Sequence, residues 1–431
     1  MIKAVTGTKD ILPEEIPSWE IIEKAIRRVF KSFNYLEIRT PLFEETILFS
    51  RGIGEETDIV GKEMYSFTDR SENNITLKPE MTASVVRAFI EHSLGKQQPL
   101  SKLFYISPMF RQERPQAGRL RQFHQFGAEA LGSTSVYLDV EMILMAYEIL
   151  RALGLKDIRV KINNVGTPES RTIYKEKLRQ YLKDEKRKLS KDSQKRFEKN
   201  VLRIFDSKDE TDQKIIRNAP LLLDYINDSS KKDFEKVAEE LKLLDIPFEI
   251  DPYLVRGLDY YTETTFEIIS GKVGSQNALC GGGRYDLLVE QLGGQPTPAT
   301  GFAAGIERIL LACENEKSLK LPERKIDLFV ACLDEELFGK VFEIAFHFRR
   351  KNISVECDYM NRSLKAQMRE ANRLNAKYVL FIGGDEYKKG TANLKSMESG
   401  KQELVQIDKL DEVLANQKSK RLRMIYSFFD F

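Results

Sequence analysis

The polar run ENEKSLKLPERK, residues 314–325, separates two stretches whose apolar patterns cannot belong to one layer of secondary structure. After it, KIDLFVACL, a helical stretch over 335–350, ISVECDY, a second helical stretch over 363–374 and YVLFIGG alternate strand with helix. Strands joined through helices pair in parallel, so residues 326–431 are predicted to form an α/β domain with a mostly parallel sheet. Before the run, residues 1–325 mix helices with strands joined by turns. That predicts an α+β domain on an antiparallel sheet, without βαβ alternation.

Within the first domain, residues 13–33 are predicted to be a helix begun by Pro13, because Ile16, Trp19, Ile22, Ile26, Val29, Phe30 and Phe33 recur at helical spacing. YLEIRTPLFEE (35–45) is a β-type run broken at Pro41, and 59–79 alternates about a turn at Ser71–Asn74, a hairpin signal. Met81 to Ser93 is helical, LFYISPMFR (103–111) and FHQFGAEALG (123–132) are strands, and 137–153 is a helix. Strand character returns at 247–255, 264–270 and 301–313, so the charged helical stretch at 171–246 reads as an inserted subdomain.

Residues 171–200 of that insert carry twelve Lys or Arg against five Asp or Glu, and KSKRLR at 418–423 is a second cationic cluster. Either can be a solvated helix face. The whole chain of 431 residues has a net charge of only +2, so no global field argues for a polyanionic partner. With 42% hydrophobic and 31% charged residues, disorder and low complexity are excluded as global readings. No apolar run approaches the ~18–20 residues of a membrane span, and MIKAVTGTKDILPEE lacks the apolar core of a signal peptide, so a cytoplasmic protein with no membrane attachment is expected. Cys280, Cys313, Cys332 and Cys357 form no C-x-x-C pair, and His92, His124 and His347 show no ligand spacing. Neither a structural zinc nor a disulfide framework is expected, and the site should be built of protein groups without a resident metal.

No Gly-Lys pair is followed by Ser or Thr, which excludes a Walker A loop, and Gly281–Gly283 do not fit G-x-G-x-x-G. Arginine is what the first domain offers instead. Arg111, Arg114, Arg119 and Arg121 fall within eleven residues, and Arg256 and Arg308 stand alone in apolar or Gly-rich surroundings. A guanidinium pairs bidentately with phosphate and never deprotonates, so such a set can clamp a polyphosphate. Surface arginines also commonly just cover apolar area.

The segments around these arginines resemble the histidyl-tRNA synthetases, class II aminoacyl-tRNA synthetases, over essentially the whole chain. GTKDILPEE (7–15) is similar to the family's N-terminal segment and YLEIRTPLFEE to class II motif 1. SPMFRQERPQAGRLRQFHQFGAE (107–129) resembles motif 2 and GFAAGIERILL (301–311) motif 3. LVRGLDYYTETTFE (254–267) and GGGRYDLLVEQLGG (281–294) resemble the histidine-specific signatures.

The resemblance implies ATP-dependent ligation of L-histidine to tRNA(His) through a histidyl-adenylate, by a homodimer whose motif 1 region, about 34–46, lies between subunits. It implies that Arg111 binds the ATP α-phosphate, that Arg308 holds the γ-phosphate with Arg119 nearby, and that Arg256 stands on the other side of the α-phosphate, its fixed charge replacing a second metal. Mg²⁺ on the β- and γ-phosphates would arrive with ATP. Glu129 and Tyr261 would read the imidazole ring, with Tyr285 closing that pocket and Tyr260 beside it. Glu80, Thr82 and Gln125 would surround the α-amino group, and Met81, which stands where synthetases often have Gly, would belong to the same histidine-binding set. A site that hydrogen-bonds a polar substrate rejects analogues by ~10⁴–10⁵, so the basic insert is expected to grip the tRNA acceptor end rather than to edit. Residues 326–431 would bind the anticodon. The aromatic tail MIYSFFDF (424–431) is expected to pack on that domain, and the sequence assigns it no further role. Taken without these flanking motifs, the three tyrosines are ordinary core. The alternative function is a catalytically inactive paralogue, the histidine-sensing regulatory subunit of ATP phosphoribosyltransferase. Such relatives generally lack the anticodon-binding domain and lose parts of the arginine set.

Overall fold

In the computed structural model, which describes residues 1–54, 57–255, 257–271 and 277–413, helix α1 (Ile16–Ser32) turns Trp19, Ile22, Ile26, Val29 and Phe30 inward. It begins at Ile16 rather than Pro13, with Pro17 in the first turn, where a missing N–H costs no hydrogen bond. Arg256, the basic run 418–423 and the tail 424–431 lie outside the described residues. Two units are present, Met1–Leu321 and Pro322–Phe431. Among the described residues no helix is long and apolar enough to cross a membrane.

In the first unit, strands β1 (Leu36–Glu37) and β2 (Phe43–Glu45), helix α2 (Thr46–Ile53), strands β3 (Tyr65–Thr68) and β4 (Asn74–Leu77), and helices α3 (Thr82–Glu91) and α4 (Leu94–Gln97) lead to two long strands. These are β5 (Ser101–Phe110) and β6 (Gln122–Leu131), followed by helix α5 (Val136–Ala152) and strand β7 (Ile158–Asn164). Helices α6 (Pro168–Glu185), α7 (Lys191–Lys199), α8 (Glu210–Ile216) and α9 (Asp228–Leu243) form the insert. Strands β8 (Phe248–Ile250), β9 (Thr262–Ser270) and β10 (Ala278–Arg284), helix α10 (Leu288–Gln291), strand β11 (Ala299–Gly305) and helix α11 (Ile306–Glu316) complete the unit.

Eight of these strands form one sheet in the order β1-β5-β6-β11-β10-β9-β7-β8. Pairing from β5 through β7 is antiparallel, and only the edge pairs β1–β5 and β7–β8 are parallel. One face carries Phe104, Phe126, Phe302 and Phe266 and packs in a single core with residues of α1, α5 and α9. Phe30 of α1 stacks on Phe104 with ring centroids 4.7 Å apart. Covering one face so completely leaves the other for a site.

Pattern reading misses β7 and β10, the second because three consecutive glycines have no β propensity. It also runs 301–313 together as strand, whereas the strand ends at Gly305, where pairing with β6 stops at Gln125, and a helix starts at Ile306. The insert has its own logic. Helix α6 buries Tyr174, Leu178 and Leu182 at helical spacing. Thr167, Ser190, Asp209 and Asn227 each accept a backbone N–H at the start of α6, α7, α8 and α9, satisfying donors that the helices cannot.

The second unit contains β12 (Leu328–Cys332), α12 (Phe338–Arg349), β13 (Val355–Cys357), α13 (Leu364–Arg373), β14 (Tyr378–Ile382), α14 (Gly384–Lys388), β15 (Thr391–Ser396) and β16 (Gln402–Gln406). Its sheet is mixed, in the order β13-β12-β14-β15-β16. The first three strands are parallel, and the hairpin β15–β16 adds two antiparallel strands beyond the alternation readable in the sequence.

Candidate active site

Strand β6 places Gln125, Gly127 and Glu129 on one face, since side chains two apart along a strand share a side. Cross-strand register extends that face: Tyr105 on β5 lies opposite Gly127, and Gly301, Ala303 and Gly305 on β11 lie opposite Glu129, Gly127 and Gln125. On β10, Gly281 and Gly283 oppose Ala303 and Gly301. Small residues thus pave the middle of the face. A Cβ on Gly301 would stand 1.8 Å from Glu129 Oε2, and one on Gly127 would stand 2.4 Å from Tyr105 Oη. Gly282 points the other way, where a Cβ would strike Phe302 and Phe266.

Over this floor lies a cavity of about 250 Å³ whose two ends differ in charge. One end is acidic and buried. Glu129 accepts a hydrogen bond from Thr82 Oγ1 at 2.8 Å and another from the Tyr285 hydroxyl. Burial pushes its carboxyl up to about 8, against the pull of those two bonds. Glu80 accepts the backbone N–H groups of Thr82 and Ala83 at 2.8 and 2.9 Å, capping α3, and burial raises its carboxyl too. Tyr260 packs against Tyr261 and Tyr285, with ring centroids 4.7 and 5.6 Å away. Gln125 Oε1 is buried with no hydrogen-bond partner among the described residues, an acceptor that a ligand donor can satisfy.

Glu80, Thr82, Gln125, Tyr260 and Tyr261 line the cavity directly. Glu129 and Tyr285 lie beneath it, joined to the lining through Thr82 and Tyr260. Met81 does not face the cavity. Its buried side chain has Sδ 3.4 Å from Thr40 Oγ1, so Met in place of Gly alters the packing behind the wall.

The other end is cationic. Arg111 donates from Nε to the Pro79 carbonyl at 2.8 Å and holds its guanidinium 5.3 Å over the Phe123 ring. Arg308, in the first turn of α11, donates to the carbonyls of Gly118 at 3.2 Å and Ala278 at 2.9 Å. Arg119 Nη1 is 2.8 Å from Glu113 Oε2, and Arg111 Nη1 is 3.8 Å from Oε1 of the same residue. Burial and the charges of Arg119 and Arg111 lower the basicity of Arg308, opposed by Glu113 and Glu267. Guanidiniums gathered so closely favour a multiply charged anion. Arg121 instead donates to the Thr6 carbonyl at 3.2 Å and anchors the N-terminal segment, while Arg114 is exposed.

Several participants are given no role by the motifs, although some lie within them. Glu307 accepts both the backbone N–H and Nδ1 of His124 at 2.9 Å, tying α11 to β6. The one local sign of it, as of Glu113, is a carboxylate beside a site arginine. Strand register brings Tyr105 and Glu267 to the site. Behind Tyr285, Arg284 and Asp139 form a buried ion pair at 3.1 Å, and Arg284 also donates to the carbonyls of Ser133 and Ser135. That fixes the strand end carrying Tyr285. Among the described residues no group of three or more His, Cys, Asp or Glu is arranged to hold a metal ion.

Known proteins give this geometry its context. Residues 7–309 match the family model for histidyl-tRNA synthetase, and residues 327–417 match that for an anticodon binding domain. A histidine--tRNA ligase of Halothermothrix orenii is 49% identical over 412 residues, 95% of this chain and 98% of its own length. The apo structure of the S. aureus histidyl-tRNA synthetase superposes with a TM-score of 0.81 at 38% identity, covering 96% of this chain and 100% of that one. A Bacillus halodurans C structure described as an ATP phosphoribosyltransferase regulatory subunit/histidyl-tRNA synthetase reaches 0.64 at 21% identity over 89% of this chain and 99% of its own, a likeness of fold alone.

Proposed function

From the premise that the chain belongs to the histidyl-tRNA synthetase family, we propose that the cavity activates histidine at its buried end against ATP at its arginine end. The protein is an aminoacyl-tRNA ligase: it joins L-histidine to tRNA(His), consuming ATP. One observation carries the assignment of the site. A single cavity joins a buried acidic and phenolic end, where Gln125 Oε1 lacks a partner among the described residues, to clustered guanidiniums, an arrangement that suits a small amino acid at one end and a polyphosphate at the other.

In this reading Glu80 and Gln125 receive the substrate ammonium, and Glu129 and Tyr261 orient its ring, with Tyr260 and Tyr285 walling that end. Arg111 meets charge gathering on the α-phosphate while the histidine carboxylate attacks it in line, the bond from the α-phosphorus to the bridging oxygen breaks and pyrophosphate leaves, and Arg119 and Arg308 hold the outer phosphates. Mg²⁺ enters as part of the nucleotide substrate. Arg256 completes the α-phosphate clamp by its place in the motif. The test is histidine-dependent exchange of labelled pyrophosphate into ATP. A clear signal supports an enzyme, and its absence with tight histidine binding supports the regulatory alternative.

The proposed partner surfaces make their own predictions. Lys177, Arg179, Lys183, Arg187, Lys191 and Lys199 are exposed on the insert, where they can track acceptor-stem phosphates. Replacing four of them with Gln should weaken tRNA binding and reduce the slope of log K against log salt by about 0.7–0.9 for each phosphate no longer neutralised. An unchanged slope in filter-binding titrations would place the RNA elsewhere. Leu36, Leu42, Phe43 and Ile47 are 60%, 44%, 54% and 49% exposed in the isolated chain, which supports a homodimer closed over the motif 1 region. Sedimentation should find a dimer at micromolar concentration, and a fully active monomer would contradict it.

A further inference from the structure

The loop that carries Tyr260 and Tyr261 is fastened from behind, largely by the helical insert. Arg171, in the first turn of α6, donates from Nη1 to the Tyr261 carbonyl at 2.8 Å. Arg203, in the short helical turn Val201–Asp206 after α7, donates from Nη2 to the Gly257 carbonyl at 2.8 Å and to Asp259 Oδ1 at 3.2 Å. Its side chain is only 16% exposed, although its partner Asp259 is 37% exposed. Asn163 at the end of β7 donates to the Leu254 carbonyl at 2.9 Å, and the Asp259 N–H donates to the Ile53 carbonyl at 3.2 Å. The described residues of the loop between Leu254 and Tyr261 are neither helix nor strand, and these donors substitute for a ladder. Its opposite side presents Leu258, Tyr260 and Tyr261 to the cavity.

We infer that Arg171 and Arg203 are positioning residues for histidine activation, holding the histidine-reading loop in register from the insert although neither lines the cavity. The inference rests on reading that cavity as the histidine site. Arg203 spans a carbonyl and a carboxylate two residues apart, which suits a planar fork and not the point charge of a lysine. Arg171 pins the peptide that follows the Tyr261 side chain, so its loss frees the ring that faces the substrate. A shift of about 1 Å in such a wall can cost ~10² in rate. Arg111 and Arg308, held by the carbonyls of Pro79, Gly118 and Ala278, are anchored outside the latched loop, so the ATP end depends on the latch only through Arg256.

The experiment uses the full-length protein without tRNA and reads histidine-dependent pyrophosphate exchange for Arg203→Met and Arg171→Met. Each should raise the histidine KM about tenfold or more and the ATP KM much less, because Arg111 and Arg308 are held outside the loop, with Arg203→Lys recovering only part. Both substitutions leaving the histidine KM at the native value would overturn the inference. A native protein inactive with histidine would instead overturn the functional reading itself, so the two failures are distinguishable. Should Arg203→Met fail to fold, Asp259→Asn and Arg203→Lys, which keep shape or charge, decide the matter: a raised histidine KM at native thermal stability supports the latch, and a native KM in both refutes it.

Discussion

Replacing Arg111 with alanine is expected to slow adenylate formation by about 10²–10³, the scale of losing one preorganised electrostatic donor. Its guanidinium is already fixed by the Pro79 carbonyl and the Phe123 face before ATP arrives, so little reorganisation is needed when charge builds on the α-phosphate. The loss should therefore fall on the single-turnover rate, with histidine affinity near native and ATP affinity weakened less than the rate. Lysine should rescue in part. Arg308 makes the contrasting case, because a group on the outer phosphates binds ground and transition states alike, and Arg308→Ala should act mainly through the ATP KM. Normal single-turnover formation of adenylate in Arg111→Ala would assign the residue to bracing the Pro79 backbone.

What the sequence discloses and what it hides follow from the range of the interactions. Gln125 and Glu129 share a face by strand period alone, and Arg111 and Arg308 stand in recognisable motifs, so the charged ends of the site are legible. The floor between them is not, because Gly127, Gly281 and Gly301 meet only through pairing between β6, β10 and β11. Their requirement for no side chain is a cross-strand fact: Gly301 is set by the carboxylate of Glu129, distant in sequence. Tyr105 sits in LFYISPMFR as one more apolar-run aromatic until the register puts it opposite Gly127. Arg171 and Arg203 are hidden differently. In a stretch dense with basic residues, nothing local separates the two that turn inward to the loop from those that remain in solvent.

Exchanging Glu129 for glutamine is expected to damage activity and improve stability at once. The amide keeps the shape and removes the charge that would meet the histidine ring, and hydrogen bonds to charged groups contribute about 1.5–3 kcal/mol, so histidine kcat/KM should fall roughly 10–10²-fold with the ATP KM unchanged. Stability runs the opposite way. The buried carboxyl titrates at about 8, above the usual value of 4.5, so through that window the folded, ligand-free protein holds a proton that the unfolded chain releases. Stability then falls as pH rises from about 4.5 to 8, because the unfolded carboxyl ionises freely in water while the dry pocket keeps the folded one protonated. Glutamine cannot titrate. Glu129→Gln should therefore melt higher than the native protein at pH 8–9, with the difference shrinking toward pH 5, where both pockets are neutral. Saturating histidine should narrow the gap at high pH, since the substrate stabilises the native charged pocket and binds the variant poorly. A melting difference that is constant from pH 5 to 9 would mean that the carboxyl titrates alike in folded and unfolded chains. Thr82 and Tyr285 would then solvate the carboxylate as well as water does, and its burial would not destabilise the fold.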